Sequence, residues 1–390
     1  MRPFRPVLLV GAVAALAACS DQGPVASAPA AAEPAPLRSA APGRAVEGRY
    51  VVVLRAGADP RSVAAVAGVE PGFVYTAALV GFAAELNAGQ LDALRHNPAV
   101  EYVEQDQEMA VQATQSPAPW GLDRIDQRNL PLSNSYTYTS LGAGVRAYII
   151  DSGIRTGLTA QFGSRVQNVY DAVGDGQNGE DCNGHGTHVA GIVGSVGYGV
   201  AKGVALRGVR AVNCAGSGTT SGIIASVDWV RVNAVRPAVA NMSLGGGLSS
   251  ALNTAVNNLA NSGVFISVGA GSENGSACNV SPAGAASAFT VAATTSTDAR
   301  ASYSNYGTCV DVFAPGSSIP SVWLDGTSRT LSGTSMAAPH AAGVAALYKA
   351  THGETATSTL DAWLKNNATL GKVTNPGTGS ANRLLFKGTL

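Results

Sequence analysis

Charged residues are scarce, 13% of 390 positions against a usual share of about 25%. The 25 basic and 25 acidic side chains cancel, so neither a nucleic-acid-binding surface nor an affinity for acidic substrates has electrostatic support. After the first twenty residues no apolar run is long and uninterrupted enough to cross a bilayer. The 47 glycines follow no Gly-X-Y repeat, which excludes a collagen-like rod and leaves tight turns and close backbone contacts as their use. Apolar residues, in contrast, make up 46%, too many for a chain that stays disordered. The length allows two or three domains and one sizeable core.

Arg2 and Arg5 precede an apolar run over 7–18. A basic flank followed by so short a run reads as a secretory signal over 1–19, not a membrane span. Leu16-Ala17-Ala18-Cys19 resembles a bacterial lipobox, which would place a lipid on Cys19 and anchor the exported chain at the cell envelope. An ordinary small-residue cleavage site is the alternative. The Ala- and Pro-rich stretch that follows has only Asp21, Glu33, Arg38 and Arg44 as charges up to residue 45. It predicts a disordered linker over 20–47.

Two folded parts are expected beyond it. Over 48–112 the pattern gives strands at 49–54, 73–75, 81–86 and 100–103 and helices at 59–66 and 88–96. Strand-helix-strand-strand-helix-strand is the ferredoxin-like α+β plan, and a core this small leans on a partner. Over 113–390, strand-like runs at 145–150, 206–212, 239–244, 264–268, 289–293 and 310–313 alternate with helical ones such as 221–235 and 249–261. That is an α/β domain, a mostly parallel sheet flanked by helices on both faces. In such sheets the reactive groups gather at the carboxyl ends of the strands.

Three short motifs carry chemistry. Asp151 ends an apolar strand, where a carboxylate needs hydrogen-bond partners and a histidine would serve; a turn-forming Asp is the plainer alternative. Asn183-Gly184-His185-Gly186-Thr187-His188 opens a helix with two histidines three apart. Zinc-protease motifs need i,i+4 spacing and a glutamate, and both are missing. The glycines around His185 suggest close backbone approach, and His188 reads as structural. Ser335, in Gly333-Thr334-Ser335-Met336-Ala337-Ala338, starts a helix of small residues, so its N–H points outward as a donor for an oxyanion. Taken alone it could be an N-cap. Taken together, Asp, His and Ser, each in a glycine-framed cluster, are a very unlikely coincidence.

The constellation resembles the subtilisin-like serine proteases, in their proteinase K and aqualysin branch. Matching segments run from about residue 113 to the C-terminus and include 239–247 and 303–307, while 48–112 resembles the family's inhibitory propeptide. The resemblance implies a secreted, monomeric endopeptidase acting on polypeptides, with no organic cofactor. Ser335 would attack, His185 would move its proton, and Asp151 would orient His185. The order Asp, His, Ser also differs from that of the esterases, whose serine comes first. Substrate would lie as an added strand between Gly216-Ser217-Gly218 and Ser243-Leu244-Gly245, with a pocket near Ala270 and Gly271 favouring apolar or aromatic residues and otherwise broad cleavage.

One position departs from the family. Its oxyanion asparagine is Ser272 here, and losing such a donor costs roughly 10²–10³ in turnover. The expectation is an attenuated protease, or one in which a water or the Ser272 hydroxyl itself takes the asparagine's place, with a catalytically weak peptide-binding protein of the same fold as the alternative. Of five cysteines, Cys182, Cys214, Cys278 and Cys309 follow Cys19; four allow three pairings, and the resemblance selects Cys182–Cys214 and Cys278–Cys309. It further implies calcium, held by Asp123, Asp126, Gln127, Ser133 and Ser135, with Asp311 at a second site. The propeptide would act as intramolecular inhibitor, its end lying across the active site until self-cleavage near Gln112–Ala113.

Overall fold

The computed structural model describes residues 33–40, 45–107 and 113–390. The signal over 1–19, Cys19 and the cleavage junction at Gln112 lie outside them. The chain divides into two compact units, 1–110 and 111–390.

In the first unit, strands Ala45–Leu54, Phe73–Tyr75, Gly81–Glu85 and Val100–Gln107 form an antiparallel sheet with Ala45–Leu54 and Gly81–Glu85 in the middle. Helices Pro60–Val66 and Ala88–Arg95 pack on it. Each starts at a side-chain cap: Asp59 accepts from the Ser62 N–H, and Asn87 with Gln90 forms a capping box. Val52, Leu54, Phe82, Leu94 and Val103 are the buried centre. The ferredoxin-like plan is present. The linker expectation needs correction. Leu37–Arg38 pairs in parallel with Val103 and Glu104, and the first strand already starts at Ala45. A free sheet edge offers hydrogen bonds to any extended neighbour, and Arg38 adds a contact 3.6 Å above the Tyr102 ring. Composition alone could not show that.

The second unit is built on seven parallel strands: β1 Arg146–Asp151, β2 Val166–Asp171, β3 Ala205–Arg210, β4 Ala238–Met242, β5 Phe265–Gly269, β6 Phe289–Thr294 and β7 Val312–Pro315. Their order is β2-β3-β1-β4-β5-β6-β7, extended at one edge by Arg383–Leu384 and Thr369–Leu370. Six of the seven lie within two residues of the expected starts. The edge strand β2, whose side chains are only partly buried, has no apolar run to announce it. Four helices matter for the site: α1 His185–Gly194, α2 Thr220–Asn233, α3 Ser250–Asn261 and α4 Thr334–His352. Thr219 and Ser249 cap α2 and α3 through their side chains.

Side-chain alternation along β1 sorts the core into two layers. Ala147 and Ile149 join the layer containing Val189, Val193, Ala341 and Val344 from α1 and α4. Tyr148 and Ile150 join the layer under α2 and α3 with Val227, Val230, Val256 and Leu259. Asp151 therefore points to the α1/α4 side. Strand β1 lies between β3 and β4, where the strand order reverses, and ligands of open α/β sheets bind at the carboxyl ends at such a point.

Candidate active site

Asp151 ends β1 and is 1% exposed. Its Oδ1 accepts from the Ser152 N–H at 2.8 Å and from His185 Nδ1 at 2.8 Å. That contact fixes which ring nitrogen carries the proton and leaves Nε2 as the free base. His185 is the first residue of α1, and its imidazole is 31% exposed. Burial works against the charged ring, but Asp151, and Asp181 behind it, outweigh that and raise the pKa above the ordinary histidine value. The flanking glycines have a steric reason. A Cβ at Gly184 would overlap the Trp323 ring, and one at Gly186 would overlap the Gly153 carbonyl. His188, one turn on, is fully buried, donates its Nε2–H to the Arg329 carbonyl at 3.0 Å, and is pushed down to about 4 by burial. It is a structural residue.

Ser335 stands in the first turn of α4, where its N–H has no intrahelical acceptor. Its Oγ donates to the Ser243 carbonyl at 2.9 Å, and Ser243 Oγ donates back to the Ser335 carbonyl at 2.7 Å. The two segments are thereby latched, and the serine hydroxyl rests on Ser243 rather than on His185. Contacts between a serine hydroxyl and its base are commonly loose before substrate binds.

Ser272 sits over the same helix end. Its Oγ accepts from the Thr334 N–H at 3.2 Å and lies 3.2 Å from Thr334 Oγ1, which itself accepts from the Gly271 N–H at 3.1 Å. The short hydroxyl is thus occupied as an acceptor. A cavity of about 390 Å³ opens beside it, lined by Leu244, Gly245, Gly247, Gly271, Val280 and Ser335 among others. Gly246–Gly247 pairs with Val280–Ser281 to close one wall. Ala270 does not line it. That side chain is fully buried with Ala277, Ala292 and Phe313, because successive residues of an extended chain point to opposite sides. Sequence reading missed Glu273, whose carboxylate lines the cavity; Oε2 accepts from Asn305 Nδ2 at 3.0 Å. Gly216, Ser217 and Gly218 follow β3, exposed, in a loop knotted by Asn213, which bonds the Ser217 N–H and carbonyl.

The sequence pattern of the Subtilase family matches residues 125–384, and that of the peptidase inhibitor I9 matches 49–112. The chain belongs to the subtilase family. It is 48% identical to an extracellular serine proteinase of Thermus sp. (strain Rt41A), over 97% of this chain and 98% of that one. It is 52% identical to alkaline serine exoprotease A of Vibrio alginolyticus, over 80% of this chain and 59% of the other. A cold-adapted subtilisin-like serine proteinase of known crystal structure superposes with a TM-score of 0.68 at 52% identity, over 70% of this chain and 99% of the other. The subtilase is accordingly a serine endopeptidase, and its first unit is the I9 propeptide, an intramolecular inhibitor.

Both expected disulfides of the subtilase are formed. Cys182–Cys214 has its Cα atoms 4.9 Å apart and Cys278–Cys309 has them 5.4 Å apart, within the usual range. The first ties the loop before His185 to the loop carrying Gly216–Gly218; the second ties the cavity wall to the segment before β7. The calcium donors are brought together, but not as a cage. Ser133 and Asn134 aim N–H and O–H groups at both oxygens of Asp123, Gln127 Nε2 donates to the Asn129 and Pro131 carbonyls, and Ser133 and Ser135 share a hydroxyl contact. Asp126 faces the Thr137 N–H at 2.7 Å, and burial pushes its carboxyl up to about 6. Asp311 already faces a cation, Lys365 Nζ at 2.7 Å. Among the described residues no three His, Cys, Asp or Glu side chains are placed to share a metal ion. These residues do not fit calcium as they stand.

Proposed function

We propose that Ser335, His185 and Asp151 are the catalytic triad of this endopeptidase. The carrying observation is the 2.8 Å contact of His185 Nδ1 with Asp151, beside a helix-start serine that lines a substrate-sized cavity. His185 Nε2 takes the Ser335 proton as Oγ attacks the scissile carbonyl, and later gives it to the leaving amine. The substrate's N–H groups replace Ser335 at the Ser243 carbonyl, which frees the hydroxyl for His185. The developing oxyanion takes the Ser335 N–H; the Ser272 hydroxyl, shorter than the family's asparagine amide and in contact with Thr334 Oγ1, supplies a weaker second donor. Turnover is therefore attenuated.

Backbone pairing against Ser243–Gly245 and Gly216–Gly218 makes cleavage broad. Leu244, Val280 and the glycine walls favour an apolar or aromatic residue in the cavity, and Glu273 at its lining admits lysine or arginine as a second choice. The enzyme is exported and matures by cutting itself near Gln112–Ala113. Expression of the full chain with and without Ser335→Ala tests this. The parent is expected to lose its first unit and to be labelled at Ser335 by a fluorophosphonate, whereas the variant stays unprocessed. A variant that still matures and still hydrolyses peptides would show another nucleophile.

A further inference from the structure

The helix that carries His185 begins at Gly184, which has no side chain to cap it. The cap comes instead from a buried carboxylate outside the triad. Asp181 is 2% exposed. Its Oδ1 accepts from Gly184 N–H at 2.8 Å, from Asn183 N–H at 2.9 Å and from Ser152 Oγ at 2.9 Å. Its Oδ2 accepts from Thr187 N–H at 2.9 Å and Thr187 Oγ1 at 2.6 Å. The two oxygens thus divide between two elements. One holds the residue next to Asp151, and both hold the first turn of α1. Ser152 completes the tie, because its Oγ also accepts from the Gly186 N–H at 2.9 Å while its own N–H donates to Asp151.

We propose that Asp181 is a positioning residue of the peptidase reaction, a second buried carboxylate that clamps the end of β1 to the start of α1 and so sets the Asp151–His185 contact. The proposal rests on the triad reading above. A hydrogen-bond network in which every donor meets one carboxylate has a single arrangement, and misplacing a general base by an ångström can cost on the order of 10² in rate. The negative charge acts too. It lies at a helix N-terminus, where an anion is favoured, and it supports the imidazolium that forms in the transition state. The charged groups facing His185 are Asp151 from β1 and Asp181 from the preceding loop; His188 from the next turn is buried and neutral above about 4.

The test is steady-state kinetics across pH on the full chain after export, with active sites counted by fluorophosphonate labelling. Asp181→Asn sets an amide N–H₂ against N–H donors and removes the charge. The expected result is a kcat lower by ~10-fold or more with KM within about twofold, and an acidic limb of kcat/KM moved to lower pH by roughly half a unit. Ser152→Ala breaks the tie from β1 to Asp181, together with the bond from the Gly186 N–H, and keeps the charge, so kcat should fall several-fold, about 3 to 10, with the limb in place. If Asp181→Asn does not fold, the Ser152→Ala result decides. Parental kcat and pH profile in either variant, or a lowered Tm with both unchanged, would overturn the assignment. Ser335→Ala run alongside separates the two readings: activity surviving there refutes the triad, whereas its loss with a silent Asp181→Asn refutes only the clamp.

Discussion

The two halves of the active site are built to different standards. On the side of the proposed acid–base pair, Asp151, His185 and the buried Asp181 are held at 2.6–2.9 Å by Ser152, Thr187 and the first turn of α1. On the nucleophile side, Ser335 rests on the Ser243 carbonyl and Ser272 is joined to Thr334 by two contacts of 3.2 Å. The difference follows from what each half must do. A base has to be oriented before substrate arrives, so its orienting groups can be saturated within the protein. The nucleophile and the oxyanion donors have to meet a substrate, so saturating them with internal partners lowers activity. Here both Ser335 Oγ, on the Ser243 carbonyl, and Ser272 Oγ, on Thr334, have internal partners.

Removing either half altogether should give the largest effect. Ser335→Ala or His185→Ala is expected to lower kcat by on the order of 10⁶, the loss known for a related subtilisin triad; a residual rate within tenfold of the parent would break the comparison at its root. Repairing the weaker half comes next. Ser272→Asn should raise kcat by ~10² with KM little changed, and precursor processing should quicken with it. Equal kcat values in the two proteins would show that a hydroxyl serves as well as an amide.

The two disulfides, one beside each half, sharpen the contrast. Each closes a loop of similar size, with separations of 32 and 31 residues, so replacing either pair by serine should cost roughly 3–4 kcal/mol in unfolding. Kinetics should tell them apart. Loss of Cys182–Cys214 loosens the loop before His185 and lowers kcat, whereas loss of Cys278–Cys309 loosens the cavity wall and raises KM; identical kinetic signatures would contradict this division. The smallest effect is expected at Glu273. Its carboxylate is exposed and already shared with Asn305, so Glu273→Gln should reduce the preference for a basic over an aromatic residue by only a few-fold, about 2 to 5. Measuring kcat/KM on a pair of peptides differing at that residue settles the direction.

Much of this was legible without coordinates where the signal is local. Apolar runs of β-branched residues marked six of the seven parallel strands, because a strand covered on both faces must be apolar throughout. Edge strand β2, reading Val-Gln-Asn-Val-Tyr-Asp, is covered on neither side so fully and stayed silent. Leu37–Arg38 reads as linker in the sequence for a similar reason: a two-residue strand is held by a partner edge, not by its own pattern. Glycine clusters pointed to His185 because the close approaches of Trp323 and Gly153 leave no room for a Cβ.

What the sequence by itself determined is the chemistry: which residue types are available, in which order, and at which ends of strands and helices they stand. Only the tertiary structure decided which groups are already engaged. Asp311 faces Lys365, Asp123 faces Ser133 and Asn134, Ala270 turns into the core, Glu273 lines the cavity, and Asp181 bridges β1 and α1. The reason is physical. A donor or acceptor is committed by partners that are distant in the chain and a few ångströms away in space, and no local pattern encodes that distance.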